Sequence, residues 1–201
     1  MHLRMHKNSA IKVLTSRLNA LWKVSKFASF RTRKMVQDGK VTSSLIYMIQ
    51  LWGGCNQSLL SCLQMIQNKL ARAVTGLGLR TSVQTLLDQC GWRSVCQLVV
   101  YHRCLSVFKT CFFQKPEYFC KMFSRSSNGE EEPISFRTRL HSTGGVRMDS
   151  FRVKNCLEQQ SFYFDSLKSW NSLPAEIRQS RTLVEFKKKL KNWITMNIPI
   201  R

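Results

Sequence analysis

Acidic residues are scarce in this chain of 201 residues, where 11 Asp and Glu face 32 Lys and Arg and leave a net charge of +21. Up to Lys34 there are nine Lys and Arg and no carboxylate. Nowhere do two aspartates adjoin, and outside Glu130-Glu131-Glu132 the carboxylates are isolated. Two-metal chemistry needs carboxylates converging on a pair of divalent ions, so polymerase or nuclease catalysis is not expected of these residues. None of the eight cysteines falls in a Cys-x-x-Cys pair, which argues against zinc ribbons and dithiol redox motifs. His2 and His6, and His102 with Cys104, lack further ligands at usable spacing, so no metal site and no cofactor is expected. Gly76-x-Gly78 is not followed by Gly-Lys-Ser/Thr, which leaves a phosphate loop unsupported. Residues 1–10 carry no apolar core of a signal peptide, and no run approaches the roughly 18 apolar residues of a membrane span. The cysteines then read as small hydrophobes in a reducing compartment, and the expected location is intracellular, nucleus or cytoplasm.

What is abundant is cation. Such an excess repels itself unless a polyanion or an acidic surface relieves it. For a sequence pI near 10.2, nucleic acid is the first candidate partner, an anionic membrane the second, and a place within a larger complex the third. Hydrophobic residues at 43% are enough for a sizeable core.

The apolar spacing predicts a mainly α fold, a helical bundle with a small β-hairpin in the C-terminal third. Helices are expected over 8–26, 41–52 and 57–75, the last because Leu59, Leu63, Ile66, Leu70 and Ala73 recur at steps of four and three. Ser61, Gln64, Asn68 and Arg72 fall on its polar face. Gly53-Gly54 turns the chain between the second and third helices, and Gly76 can close the third with a left-handed cap. Thr81 and Gln84 form a capping box for a short helix to about 89, and Ser94 with Gln97 opens a long one to about 113. On that helix Cys96, Val100, Tyr101, Cys104, Leu105, Val107, Phe108, Cys111 and Phe112 cover half the circumference, which calls for several packing neighbours. His102, Arg103, Ser106, Lys109 and Thr110 share its other side.

After a polar loop over 124–133, the texture changes. Phe136 to Leu140, Gly144-Gly145 and Phe151 to Val153 alternate as a short hairpin would, with Arg137, Arg139 and Arg152 outward. The end is helical again over 161–171, with a turn at Pro174 and a last helix capped by Thr182 and Glu185. This helix buries Leu183, Phe186, Leu190 and Ile194 and exposes lysines. Between the first two helices, Phe27, Phe30, Arg31, Arg33 and Lys34 interleave aromatics with cations. That mixture suits phosphates and stacked bases, or else a solvated basic face whose aromatics belong to the core.

A series of segments resembles one family. Leu51-Trp52-Gly53-Gly54, Leu63 to Arg72 with Val74-Thr75-Gly76, and Leu86 to Leu98 resemble, in order, the region after the polymerase palm in non-LTR (LINE-type, jockey-like) retrotransposon reverse transcriptases. Asn19-Ala20-Leu21, Ala28 to Arg33, Pro116-Glu117-Tyr118, Trp170 to Arg178 and Phe186 to Lys191 extend the likeness nearly end to end. The resemblance implies a thumb-like helical segment over 1–76, a bundle continuation over 77–123, the polar loop over 124–133, and the hairpin with C-terminal helices over 134–201. It places the fingers and the palm with its paired aspartates upstream of Met1. Phe162-Tyr163-Phe164-Asp165 is only superficially similar to a polymerase Tyr-x-Asp-Asp turn, and Asp165 is expected to be structural.

The function expected is that of a C-terminal part of such a polymerase, holding RNA or an RNA:DNA hybrid without copying it. Arg31, Arg33, Lys34, Arg72, Lys188, Lys189 and Lys191 are the expected contacts. Two alternatives stand beside it: a helical interaction module that docks on a separate polymerase core, and a decayed element copy with no function.

Overall fold

In the computed structural model the described residues are 12, 15, 16, 18–20, 22, 23, 27–39, 43–46, 57–113, 138–140, 146–148 and 162–199. They are mainly helical. Contacts divide the chain into two compact units, Met1–Leu98 with Ile200–Arg201, and Val99–Pro199.

The first unit holds α1 (Phe30–Gln37), α2 (Ser43–Ile46), α3 (Gln57–Thr75), α4 (Val83–Cys90) and the first turn of α5 (Val95–Phe113). The described residues between 12 and 23 are helical as well, whereas most of the helix expected over 41–52 lies outside the described residues. Helix α3 spans the residues its periodicity predicts, and Leu63, Ile66, Leu70 and Ala73 are buried. It packs against α1 and α4. Gly76 closes it in the left-handed region at φ 76°, donating its N–H to the carbonyl of Arg72 at 2.8 Å. Helix α4 starts one residue later than the sequence suggests: Ser82, not Thr81, is the cap, and its Oγ accepts from the N–H of Thr85 at 3.2 Å. Gly91 at φ 67° ends it, with the N–H groups of Gly91 and Trp92 reaching the carbonyls of Asp88 and Leu87. This is a helix stop that an L side chain would strain.

One expectation fails on α3. Gln64 belongs to the face assigned to solvent, yet it is 7% exposed. Its Oε1 accepts from the N–H of Val95 at 2.8 Å, and its Nε2 donates to Gln67 and Asn68, both at 2.9 Å. Gln67 in turn donates to the carbonyl of Arg93 at 2.8 Å. These amides satisfy backbone groups at the start of α5 that no helix could satisfy internally. Ser94 and Gln97 complete the cap reciprocally, as expected, at 3.3 and 3.1 Å.

The second unit is built from the rest of α5, from α6 (Phe162–Asn171), α7 (Ala175–Arg178) and α8 (Leu183–Asn197), and from strands β1 (Thr138–Leu140) and β2 (Val146–Met148). The strands pair antiparallel with Arg139 opposite Arg147, and residues 134–137 and 151–153 of the expected hairpin lie outside the described residues. Tyr101, Cys104, Val107 and Phe108 of α5 meet Leu167 and Trp170 of α6 and Phe186, Leu190 and Ile194 of α8 in one core. Phe108 and Phe186 stack at its centre, rings 4.2 Å apart and inclined by 16°. Much of the polar side of α5 is buried too, with Lys109 exposed and His102 half-buried. Arg103, Ser106 and Thr110 are each under a tenth exposed. Ser106 and Thr110 escape the cost of burial by donating their hydroxyls to carbonyls one turn back, at 2.9 Å each.

Candidate nucleic-acid interface

The seven expected contacts fall into two sets, Arg31, Arg33, Lys34 and Arg72 in the first unit and Lys188, Lys189 and Lys191 in the second. On α1 the helix begins at Ser29, whose Oγ accepts from the N–H of Thr32 at 3.3 Å. Arg31 projects from its first turn, exposed and without an ionic or hydrogen-bond partner among the described residues. Arg33 behaves differently. It is half-buried, and Nη1 donates to the carbonyl of Ala73 at 3.2 Å, against the last turn of α3. That turn carries the negative end of the helix dipole, which a guanidinium stabilises. Arg33 therefore clamps α1 to α3.

Lys34 is also engaged. Its Nζ lies 3.2 Å from Oδ2 of Asp38, whose Oδ1 accepts from Nε1 of Trp92 at 2.9 Å. Arg72 is half-buried on α3, and its Nε is enclosed without a hydrogen-bond partner. Of this set Arg31 alone combines exposure with a charge unengaged among the described residues. The aromatics around it are not core residues. Phe27 is 90% exposed and Phe30 42%, which removes the alternative of a basic face over buried rings.

On α8 the buried stripe of Phe186, Leu190 and Ile194 fixes where the lysines point. At about 100° per residue, Lys188 and Lys191 fall on one flank and Lys189 on the other. Lys189 donates to Oε1 of Glu185 at 2.7 Å and to the carbonyl of Glu176 at 3.3 Å. That pairing holds the Glu185 carboxyl below its ordinary pKa, helped by the N–H of Arg181. Lys188 and Lys191 remain exposed and unpaired among the described residues. Lys187, half-buried and four residues before Lys191, joins their flank. The sequence reading passed over it, although i, i+4 spacing was the available signal.

Chemistry beyond cation contact finds little to build on among the described residues. Asp165 accepts from Nη2 of Arg103 at 2.7 Å, a structural pairing, as its place in an aromatic helix suggested. Burial pushes the Cys90 thiol up to about 11 and the Cys104 thiol to about 12, the wrong direction for a nucleophile at neutral pH. Among the described residues no three His, Cys, Asp or Glu side chains gather as metal ligands would, and no helix is long and apolar enough to cross a membrane.

No protein-family model matches the chain, and no curated protein or solved structure matches it.

Proposed function

We propose that the chain is a nucleic-acid-binding helical protein of the thumb and post-thumb type found in non-LTR retrotransposon reverse transcriptases, holding RNA or an RNA:DNA hybrid without polymerising. The observation that carries this reading is Arg31, an exposed and unengaged guanidinium between the exposed rings of Phe27 and Phe30 and Met35. Lys188 and Lys191 add unpaired charge in the second unit.

A fluorescence-anisotropy titration against a structured RNA and an RNA:DNA hybrid, over several salt concentrations with heparin as competitor, tests it. Saturable binding near about 150 mM salt that heparin displaces only in excess supports the reading. Binding that vanishes by that salt, or that ranks heparin with every nucleic acid, overturns it. The second reading, a module that docks on a separate polymerase core, draws on Met35 and Val36, both substantially exposed on α1. Co-purification of a polymerase core with loss of binding on Met35→Glu would favour it.

A further inference from the structure

Double-stranded nucleic acid offers a protein phosphates, sugars and groove edges, but its base faces are stacked away. Exposed aromatic rings gain little from a duplex and much from unpaired bases, each of which has a free face for stacking. The first unit presents such rings. Phe27 is 90% exposed in the turn before α1, and Phe30 is 42% exposed at its first position. Two residues separate them, and Arg31 follows directly, its charge unengaged among the described residues.

Just upstream, Lys12, Thr15, Ser16, Asn19, Ala20 and Lys23 line an open depression of about 570 Å³. Its size is that of a small-molecule pocket, but its mouth is wide, whereas such pockets are closed, and five of its six lining residues carry a polar group. Two ammonium groups, two hydroxyls and an amide suit phosphate oxygens. No carboxylate occurs anywhere in the first 37 residues, so nothing in that stretch repels a polyanion.

We propose that Phe27 and Phe30 are a base-stacking platform for unpaired nucleotides, and that the depression lined by Lys12 and Lys23 takes the adjoining phosphates. The inference rests on the nucleic-acid reading above and narrows it: the preferred ligand is a single strand, or the unpaired end of a hybrid, and not a continuous duplex. The chemistry shared by RNA and DNA single strands is the base face next to a phosphate.

The test uses the full chain and four labelled ligands at about 150 mM salt: an unstructured RNA of roughly 12 nucleotides, the same sequence as DNA, its blunt RNA:DNA hybrid, and that hybrid with an overhang. The expected order is both single strands and the overhang ahead of the blunt hybrid. Substituting both rings with leucine (F27L/F30L) keeps an apolar surface but removes the π faces. It should weaken single-strand binding at least about tenfold, leave the salt slope unchanged, and spare the blunt hybrid. Lys12→Ala with Lys23→Ala should instead flatten the slope on single strands by roughly one to two units.

Equal binding of blunt hybrid and single strand, or an F27L/F30L protein that binds single strands as the parent does, overturns the platform while leaving nucleic-acid binding intact. Failure of all four ligands to bind overturns both readings. Loss of partner-protein binding by F27L/F30L with no effect on any oligonucleotide would assign the rings to a protein contact and refute the platform.

Discussion

Arg103 donates from Nη2 to Oδ2 of Asp165 at 2.7 Å, joining α5 to α6 across 62 residues of sequence. Arg103 is the more enclosed partner, its side chain 11% exposed against 25% for Asp165. Removing the carboxylate charge alone takes a charge-assisted hydrogen bond from a nearly buried guanidinium. Asp165→Asn should therefore lower stability by about 1.5–3 kcal/mol, toward the lower end because water still reaches Asp165. The urea midpoint should fall with the slope m unchanged. Replacing both partners, Arg103→Met with Asp165→Leu, should cost less than the two single changes added together, because the interaction between them is lost only once. An unchanged midpoint for Asp165→Asn would show that the pair contributes nothing net.

The helices were legible in the sequence wherever burial followed local spacing. Leu63, Ile66, Leu70 and Ala73 recur at helical intervals and are buried. Gly76, Ser94 with Gln97, and Thr182 act within a few residues of themselves, so their caps could be read directly. What escaped is what depends on a distant partner. Gln64 has the composition of a surface residue, and only the N–H of Val95, 31 positions away, accounts for its burial. Arg33 looked like a phosphate ligand for the same reason, whereas Lys34 pairs with Asp38 only four residues on, a signal the sequence did offer. Charge and exposure can be guessed from composition, but the Ala73 carbonyl that Arg33 caps lies 40 residues off. Arg31 was named with them and differs in having no such partner among the described residues. Sequence cannot make that distinction.

Gln64 supplies the next prediction. Gln64→Leu keeps a side chain of similar size but strips the acceptor from the N–H of Val95 and the donor from Gln67 and Asn68. An enclosed backbone N–H left unsatisfied costs about 1–3 kcal/mol. Gln64→Glu keeps the acceptor and should be the milder change if Gln67 and Asn68 turn their amide N–H groups toward it. Amide hydrogen exchange at Val95 checks the mechanism independently of global stability: it should accelerate in Gln64→Leu by more than at Leu70.

Arg31 and Arg33 should separate binding from stability. Arg33→Ala loses a charge-assisted hydrogen bond to the end of α3 and should destabilise the protein by about 1–2 kcal/mol. Arg31→Ala removes an exposed side chain with no hydrogen bond or ion pair among the described residues and should stay within about 0.5 kcal/mol of the parent. In binding titrations the order reverses. Arg31→Ala should reduce the salt slope by about one unit, as loss of one phosphate contact does. If Arg33→Ala alone flattens the slope while Arg31→Ala leaves it intact, the assignment of roles on α1 is wrong.

The lysines of α8 divide in the same way. Lys188→Ala with Lys191→Ala should flatten the slope by roughly two units, and Lys189→Ala by less, because Glu185 already neutralises that ammonium. Glu185 also makes a pH-dependent contribution. Its folded-state pKa lies below the ordinary 4.5, chiefly through Lys189 and then the N–H of Arg181. Its stabilising effect is therefore present above pH 4.5 and lost as the pH falls through the lower folded value. Thermal melts from pH 6 to 3 should show a smaller acid-side decline for Glu185→Gln than for the parent. Parallel declines would mean that the pairing is too solvent-exposed to matter.

The opposite end of the pH scale reports on the cores. Cys104 is fully enclosed and its thiol is raised to about 12, with burial outweighing the pull of Arg103; Cys90 is raised to about 11, burial again the larger cause. In the unfolded chain both thiols ionise near their ordinary 9.0. Below that pH neither state differs in proton content and the contribution is whole. Above it the unfolded chain loses protons that the folded protein keeps, so stability declines as the pH climbs from 9 toward the folded values. Two measurements check this. Native alkylation with iodoacetamide at alkaline pH, followed by mass spectrometry, should modify the half-buried Cys62 and Cys96 well before Cys90 and Cys104. The urea midpoint should drop between pH 8 and pH 10, and the drop should shrink in Cys104→Ala, which removes one of the two thiols even though its own midpoint is lower at both values. Rapid native labelling of Cys104 would instead mean that the core around Phe108 and Trp170 opens far more readily than its packing implies.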